Sequence, residues 1–80
     1  IPNWDHTPRT GNRGLVLHGC TPERFGKHLD DVLDHISHKP MEHRIAFVKS
    51  WNEWAEGNYL EPDLKYGLGF LDAVRRRLIP

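Results

Sequence analysis

The sequence predicts an α/β fold, as a helix-strand-helix segment behind a long N-terminal loop. Three observations carry that reading. Phe25, Leu29, Val32, Leu33 and Ile36 recur at the spacing of one helical face. Ile45-Ala46-Phe47-Val48 is a continuous apolar run, the pattern of a strand covered on both faces in a parallel sheet. Leu64, Leu68, Leu71, Val74 and Leu78 then mark a second helical face. A lone parallel strand needs neighbours, so the order loop, helix, strand, loop, helix reads as a piece of an alternating α/β fold.

Residues 1–20 are expected to be loop. They carry Gly11, Gly14, Gly19, Pro2 and Pro8 among further turn formers such as Asn3, Asp5 and Asn12. Only Gly14-Leu15-Val16-Leu17-His18 has strand character, and long loops of this kind are usually functional or disordered. The first helix is expected over 21–38. Thr21 can cap it, Pro22 loses nothing at the first helical position, and Glu23 complements the positive end of the dipole. Lys27, Asp30, Asp31 and Asp34 fill its polar side, and Pro40 stops it. A strand is expected over 44–51 and a loop over 52–63, broken by Gly57 and Pro62. The last helix is expected over 64–79, with Arg75, Arg76 and Arg77 at its negative end. Gly67 and Gly69 lower its intrinsic propensity by about 1 kcal/mol each relative to Ala, so packing must compensate.

Eighty residues allow one small domain with a thin margin of buried surface. Eleven Lys+Arg balance eleven Asp+Glu, which argues against a nucleic-acid partner or a polybasic membrane surface. No apolar run approaches the ~20 residues of a membrane span, and no signal-peptide pattern opens the chain. The single cysteine, Cys20, excludes an internal disulfide framework. These features fit a soluble, cytoplasmic protein. A start at Ile1 rather than Met hints at a piece of something longer, whose open apolar faces could pair two copies into a homodimer.

The densest chemistry lies in Ser50-Trp51-Asn52-Glu53-Trp54-Ala55-Glu56-Gly57-Asn58-Tyr59-Leu60-Glu61-Pro62-Asp63, directly after the predicted strand. In parallel α/β architectures, active sites form where strands give way to loops. Glu53 and Glu56 are the catalytic candidates. Three residues apart, they share a side on a helical turn, and one can protonate a leaving oxygen while the other serves as base or nucleophile. A carboxyl separation of roughly 5–5.5 Å would mean retention of configuration, and a wider gap inversion. Trp54 offers an indole face to a sugar ring, while Asn52 and Tyr59 can hydrogen-bond hydroxyls. Asp5, Arg9 and Glu61 complete the candidate carbohydrate-binding set.

Each candidate also has a plain structural reading. Glu53 and Glu56 could form a solvated acidic loop, Asp5 an Asx-turn and Arg9 a surface cation. Trp51, at the strand end, is assigned to packing, and Asp63 to capping the next helix. Six histidines invite a metal reading, but His35, His38, His43 and the His18/Cys20 pair match no full zinc pattern, so no metal is expected. No Gly-rich phosphate loop is present, and no other cofactor is expected.

Trp51-Asn52-Glu53-Trp54-Ala55-Glu56-Gly57, with Tyr59-Leu60-Glu61-Pro62-Asp63 and Tyr66-Gly67, resembles the C-terminal signature of the WbsX-type glycosyltransferases. That family is related to glycoside hydrolase family 99, the endo-α-mannosidases. Pro2-Asn3-Trp4-Asp5-His6-Thr7-Pro8-Arg9 and Thr21-Pro22-Glu23-Arg24-Phe25 resemble upstream blocks of the same proteins. The resemblance implies the C-terminal fragment of a (β/α)8 barrel, active on glycans in bacterial polysaccharide or lipopolysaccharide synthesis. It further implies Glu53 as a base toward the sugar's own 2-hydroxyl, retention through an anhydro-sugar, and Glu56 as the general acid. Ala55 stands where the hydrolases carry His, a departure that leaves the Glu53/Glu56 pair intact. The rival from another class is a non-catalytic carbohydrate-binding or interaction module.

Overall fold

A computed structural model describes residues 3–79, with the side chain of Arg9 left out of the description. The described residues form α-helices, 3-10 turns and two short antiparallel β-hairpins. Strands β1 (Trp4–Asp5) and β2 (Val16–Leu17) pair antiparallel, Trp4 opposite Leu17. Between them lie a one-turn helix α1 (Thr7–Thr10) and a 3-10 turn Gly11–Arg13. The expected 1–20 loop therefore has a folded frame. Gly11 supplies the positive φ of 61° that ends α1.

Helix α2 spans Pro22–Ser37. Thr21 caps it by accepting the Arg24 backbone N–H at 3.2 Å. Helix α3 spans Gly69–Leu78, shorter than the expected 64–79. Asp63 diverts the residues in between. Its carboxylate accepts the Tyr66 N–H at 2.6 Å, and Asp63 and Gly67 bridge each other, with Gly67 at φ +56°. That local turn competes with the helix and wins, as Asp side chains do when they bind nearby backbone.

The two helices pack through Phe25, Leu60 and Phe70, with Leu29, Tyr66, Leu71, Val74 and Cys20 around them. Phe70 sits between two rings, 5.6 Å from Phe25 and edge-on to Tyr66 at 5.6 Å. Burial pushes the Cys20 thiol up, so it stays protonated at neutral pH. Arg77 reaches over α2 to Asp30, at 2.7 Å and 3.2 Å, and this bond holds the Asp30 carboxyl below its usual range. Gly26 makes room for the guanidinium: a Cβ there would lie 2.6 Å from Arg77 Nη2.

The strand expected over 44–51 does not form. Residues 46–48 take no regular backbone pairing among the described residues, and Phe47 is 94% exposed. The reason lies in the strand's own requirement. An apolar run of this kind is stable as a strand only between neighbours that satisfy both edges, and both hairpins pair within themselves. Residues 52–63, expected as loop, form the second hairpin. Strands β3 (Asn52–Glu53) and β4 (Asn58–Tyr59) pair antiparallel across a 3-10 turn at Trp54–Glu56. Trp51, assigned to packing, is 51% exposed because no second layer covers the end of the unpaired run.

The radius of gyration is 14.1 Å, against about 12 Å for a compact domain of this length. The core is thin, and the molecule is elongated, 42 × 27 × 18 Å. Among the described residues no helix is long and apolar enough to cross a membrane.

Helix packing leaves one sharp constraint, where the N-termini of α2 and α3 meet. A Cβ on Gly69 would lie 2.6 Å from Pro22 Cγ, a ring atom that cannot rotate away. Gly69→Ala is expected to lower stability by about 1–3 kcal/mol in thermal unfolding followed by circular dichroism. Adding Pro22→Ala should recover part of the loss, and a double variant no better than Gly69→Ala contradicts the steric account.

Candidate functional site

The hairpin that carries the candidate carboxylates is built by its own turn chemistry. Gly57 adopts the left-handed conformation at φ 64°, which closes the 3-10 turn and sends Asn58 back beside Glu53. The Leu60 N–H bonds the Trp51 carbonyl at 2.9 Å, and Ser50 Oγ donates to the Asn58 carbonyl at 2.7 Å. These bonds extend the register beyond the two paired positions on each strand.

Glu53 and Glu56 stand at opposite ends of that turn, in unequal surroundings. Glu53 is half-buried, and among the described residues its carboxylate meets no hydrogen-bond or ionic partner. Glu56 is buried, at 8% exposure. Its Oε2 accepts the indole N–H of Trp4 at 3.0 Å and lies 3.8 Å from His6 Nε2. Two carboxyls whose environments differ can divide acid and base work between them.

Trp54 and Tyr59 form a stacked pair, ring centroids 3.7 Å apart and planes 13° apart. Trp54 is 48% exposed, and its Nε1 donates to Glu61 Oε1 at 2.7 Å. Tyr59 Oη donates to Asp63 Oδ2 at 2.9 Å, and partial burial together with this carboxylate pushes the phenol pKa up. An open groove of about 650 Å³ runs along the pair, continued by Pro62, Asp63, Leu64 and Lys65. Glu61 thus orients an aromatic ring, and Asp63 holds Tyr59 and its own turn. Asp63 does not cap α3, as the sequence alone led one to expect, because α3 starts six residues later at Gly69.

The remaining candidates fall apart from this group. Asp5 is spent locally: its Oδ1 accepts the Thr7 N–H at 2.9 Å and the Thr7 hydroxyl at 2.5 Å. These bonds hold its carboxyl below the usual range, and the geometry is that of an Asx-turn. Asn52 is exposed and paired with Tyr59 through the backbone. Arg9 lies on α1, but its side chain is outside the description. Among the described residues no group of three or more His, Cys, Asp and Glu gathers as a metal site.

Three residues that sequence reasoning missed hold the site together. Asn58 is fully buried, and its Nδ2 donates to the Asn3 carbonyl at 3.0 Å, while its Oδ1 has no partner among the described residues. Asn3 Oδ1 in turn accepts the Cys20 N–H at 2.9 Å. Trp4 adds the indole bond to Glu56, and Lys49 Nζ lies over the same indole, 4.3 Å from its centroid. The signal was present in Asn3-Trp4, a polar and an aromatic residue inside the opening block, but contacts across more than fifty residues leave no periodicity to read.

Paired carboxylates beside an exposed aromatic stack make a site of mixed acidic and aromatic character at a hairpin turn. Comparison with known proteins assigns the chain that bears it: the Glycosyltransferase WbsX family matches residues 1–74, and the chain belongs to that family. Two similar proteins are named uncharacterized protein WxcX, from Xanthomonas campestris pv. campestris strains B100 and ATCC 33913. Each is 40% identical over 78 residues, which covers 96% of this chain and 11% of the relative. The chain therefore spans about a tenth of the length of these relatives. No solved structure matches it significantly.

The Asp5 contacts generate a pH dependence with a definite sign. Its folded-state pKa lies below the usual 3.8, so the folded state favours the carboxylate more than the unfolded chain does. That stability is present above pH 3.8 and is lost as pH falls through the depressed folded value. The melting temperature of the wild type should drop over this acid window, and Asp5→Asn should flatten the drop. An unchanged acid limb in the variant refutes the assignment.

Proposed function

We propose that this chain carries the acid–base loop of a glycan-active (β/α)8 protein that transfers or hydrolyses sugars in bacterial polysaccharide or lipopolysaccharide metabolism. Family membership supports the substrate class, and one geometric observation supports the chemistry. Glu53 and Glu56 flank a single turn with different burial, Glu56 held by Trp4 and Glu53 without a hydrogen-bond or ionic partner among the described residues, next to an exposed aromatic stack. In this reading Glu53 takes the proton from the substrate's 2-hydroxyl. The freed 2-oxygen bonds to C1 as the glycosidic bond breaks and Glu56 gives its proton to the departing oxygen; water or an acceptor hydroxyl then opens the anhydro-sugar at C1, which gives net retention. The Trp54–Tyr59 stack is the platform for a sugar ring, with Glu61 orienting the indole.

The barrel belongs to the same proposal. Ile45, Phe47 and Val48 are exposed apolar side chains on an unpaired run, as a strand would be without its sheet. Strands of a surrounding barrel would cover them, and in the isolated chain a second copy would do so instead. Light scattering should then show concentration-dependent dimers of the isolated chain that Phe47→Asp dissociates. A cytoplasmic location fits the same reading.

A second reading has its own support. The Trp54–Tyr59 platform with its open groove suits a carbohydrate-binding module in which the carboxylates only solvate the loop. Glu53→Gln and Glu56→Gln, made in the longest chain containing this segment, separate the two. With a fluorescently labelled bacterial surface oligosaccharide, each variant should lose about 10²–10⁴-fold in turnover while still binding it. Undiminished turnover in both variants ends the catalytic assignment.

A further inference from the structure

The contact between the N-terminal hairpin and the Glu56 carboxylate has a meaning beyond packing. A carboxyl group that donates or receives a proton must present it along a fixed direction, and a side chain with three rotatable bonds does not hold that direction unaided. Glu56 is buried in a 3-10 turn, and one of its oxygens faces Trp4 Nε1 at 3.0 Å. Indole N–H is a donor and nothing else, so this bond does not reverse when the carboxyl titrates.

The donor is itself held on several sides. Trp4 lies in β1, opposite Leu17, and the next residue but one closes the hairpin through its N–H to the Leu15 carbonyl at 2.9 Å. Lys49 Nζ lies 4.3 Å from the indole centroid, and the His6 ring tilts 45° against it at 6.0 Å. Asn3 anchors the strand to the hairpin through Asn58 and to the start of α2 through Cys20. The N-terminal segment is thus an arm, tied down at Asn3, that carries a hydrogen-bond donor to a carboxylate fifty-two residues away.

We propose that Trp4 is the positioning residue of Glu56: its indole N–H fixes the carboxyl plane and favours the ionised form. This rests on the reading of Glu56 as the acid. A donor to a carboxylate oxygen stabilises the charged state, and it does so more strongly when the group is buried. The other charged groups around Glu56 are His6 at 3.8 Å on the same arm, Lys49 across the indole, and Glu53 on its own hairpin. Helix α1 also packs on the 3-10 turn. Imidazolium at His6 would act in the same direction as the indole, so the Trp4 effect is to be read against a His6→Gln background as well.

The test needs no substrate. Carbon-13 NMR of the Glu56 carboxyl and nitrogen-15 NMR of the Trp4 indole N–H are followed against pH in the protein. In the wild type the indole N–H shift should titrate with the same midpoint as Glu56, and Glu56→Gln should abolish that step. Trp4→Phe keeps an aromatic ring and removes the donor, and it should move the Glu56 midpoint to higher pH by about half to one unit, with or without His6→Gln. A flat indole titration in the wild type overturns the proposal, and that measurement does not depend on a variant folding. So does an unmoved Glu56 midpoint in a folded Trp4→Phe. With the labelled oligosaccharide, Trp4→Phe should also shift the alkaline limb of the kcat profile upward with Glu56. If Glu56→Gln leaves turnover intact while the indole still tracks Glu56, the function fails and the tether stands.

Discussion

The carboxylate hairpin keeps its shape because the N-terminal segment clamps it. A two-stranded hairpin with two paired residues per strand is marginal by itself in water. Here the Asn3 carbonyl accepts a hydrogen bond from the Asn58 amide and the Trp4 indole donates one to Glu56, spanning 55 and 52 residues of chain. Both target groups are buried, so each bond relieves a polar group that would otherwise be costly to exclude from water. Remove the clamp and a buried carboxylate and a buried amide both lose a protein partner.

The clamp also ties the site to the helical core. Asn3 binds the Cys20 backbone immediately before α2, and Leu60, immediately after β4, is the most buried apolar side chain of the Phe25–Phe70 cluster. The hairpin is therefore gripped at both sides: by the N-terminal arm through polar bonds and by the helices through Leu60. The two kinds of force divide the labour. Apolar packing fixes where the hairpin sits, and directed hydrogen bonds fix how its side chains are turned.

The Trp54–Tyr59 stack depends on less. Its two rings hold each other, and Glu61 and Asp63 each bind one polar end. These acids come from the same short stretch as the rings, so the platform is assembled locally. The buried Glu56 and the open aromatic groove are thus products of different scales of structure within one loop. A glycan-active reading uses both, with the buried part assigned to chemistry and the exposed part to a sugar face.

Much of the local structure was legible in the residues. Thr21-Pro22-Glu23 marked the start of α2 because capping and dipole effects act within one turn. The concentration of Glu53, Trp54, Glu56, Tyr59 and Glu61 in one loop, and the family to which the chain belongs, were also readable from order alone. What only the tertiary structure decided was which of those groups meet. Asp63 turned the chain where periodicity predicted helix, residues 46–48 formed no strand because strand formation needs a partner edge, and Asp5 closed on Thr7. Glu56 turned out to accept the indole N–H of Trp4. Local propensity is written in neighbouring residues, whereas burial and hydrogen bonding across fifty residues depend on how the chain returns to itself.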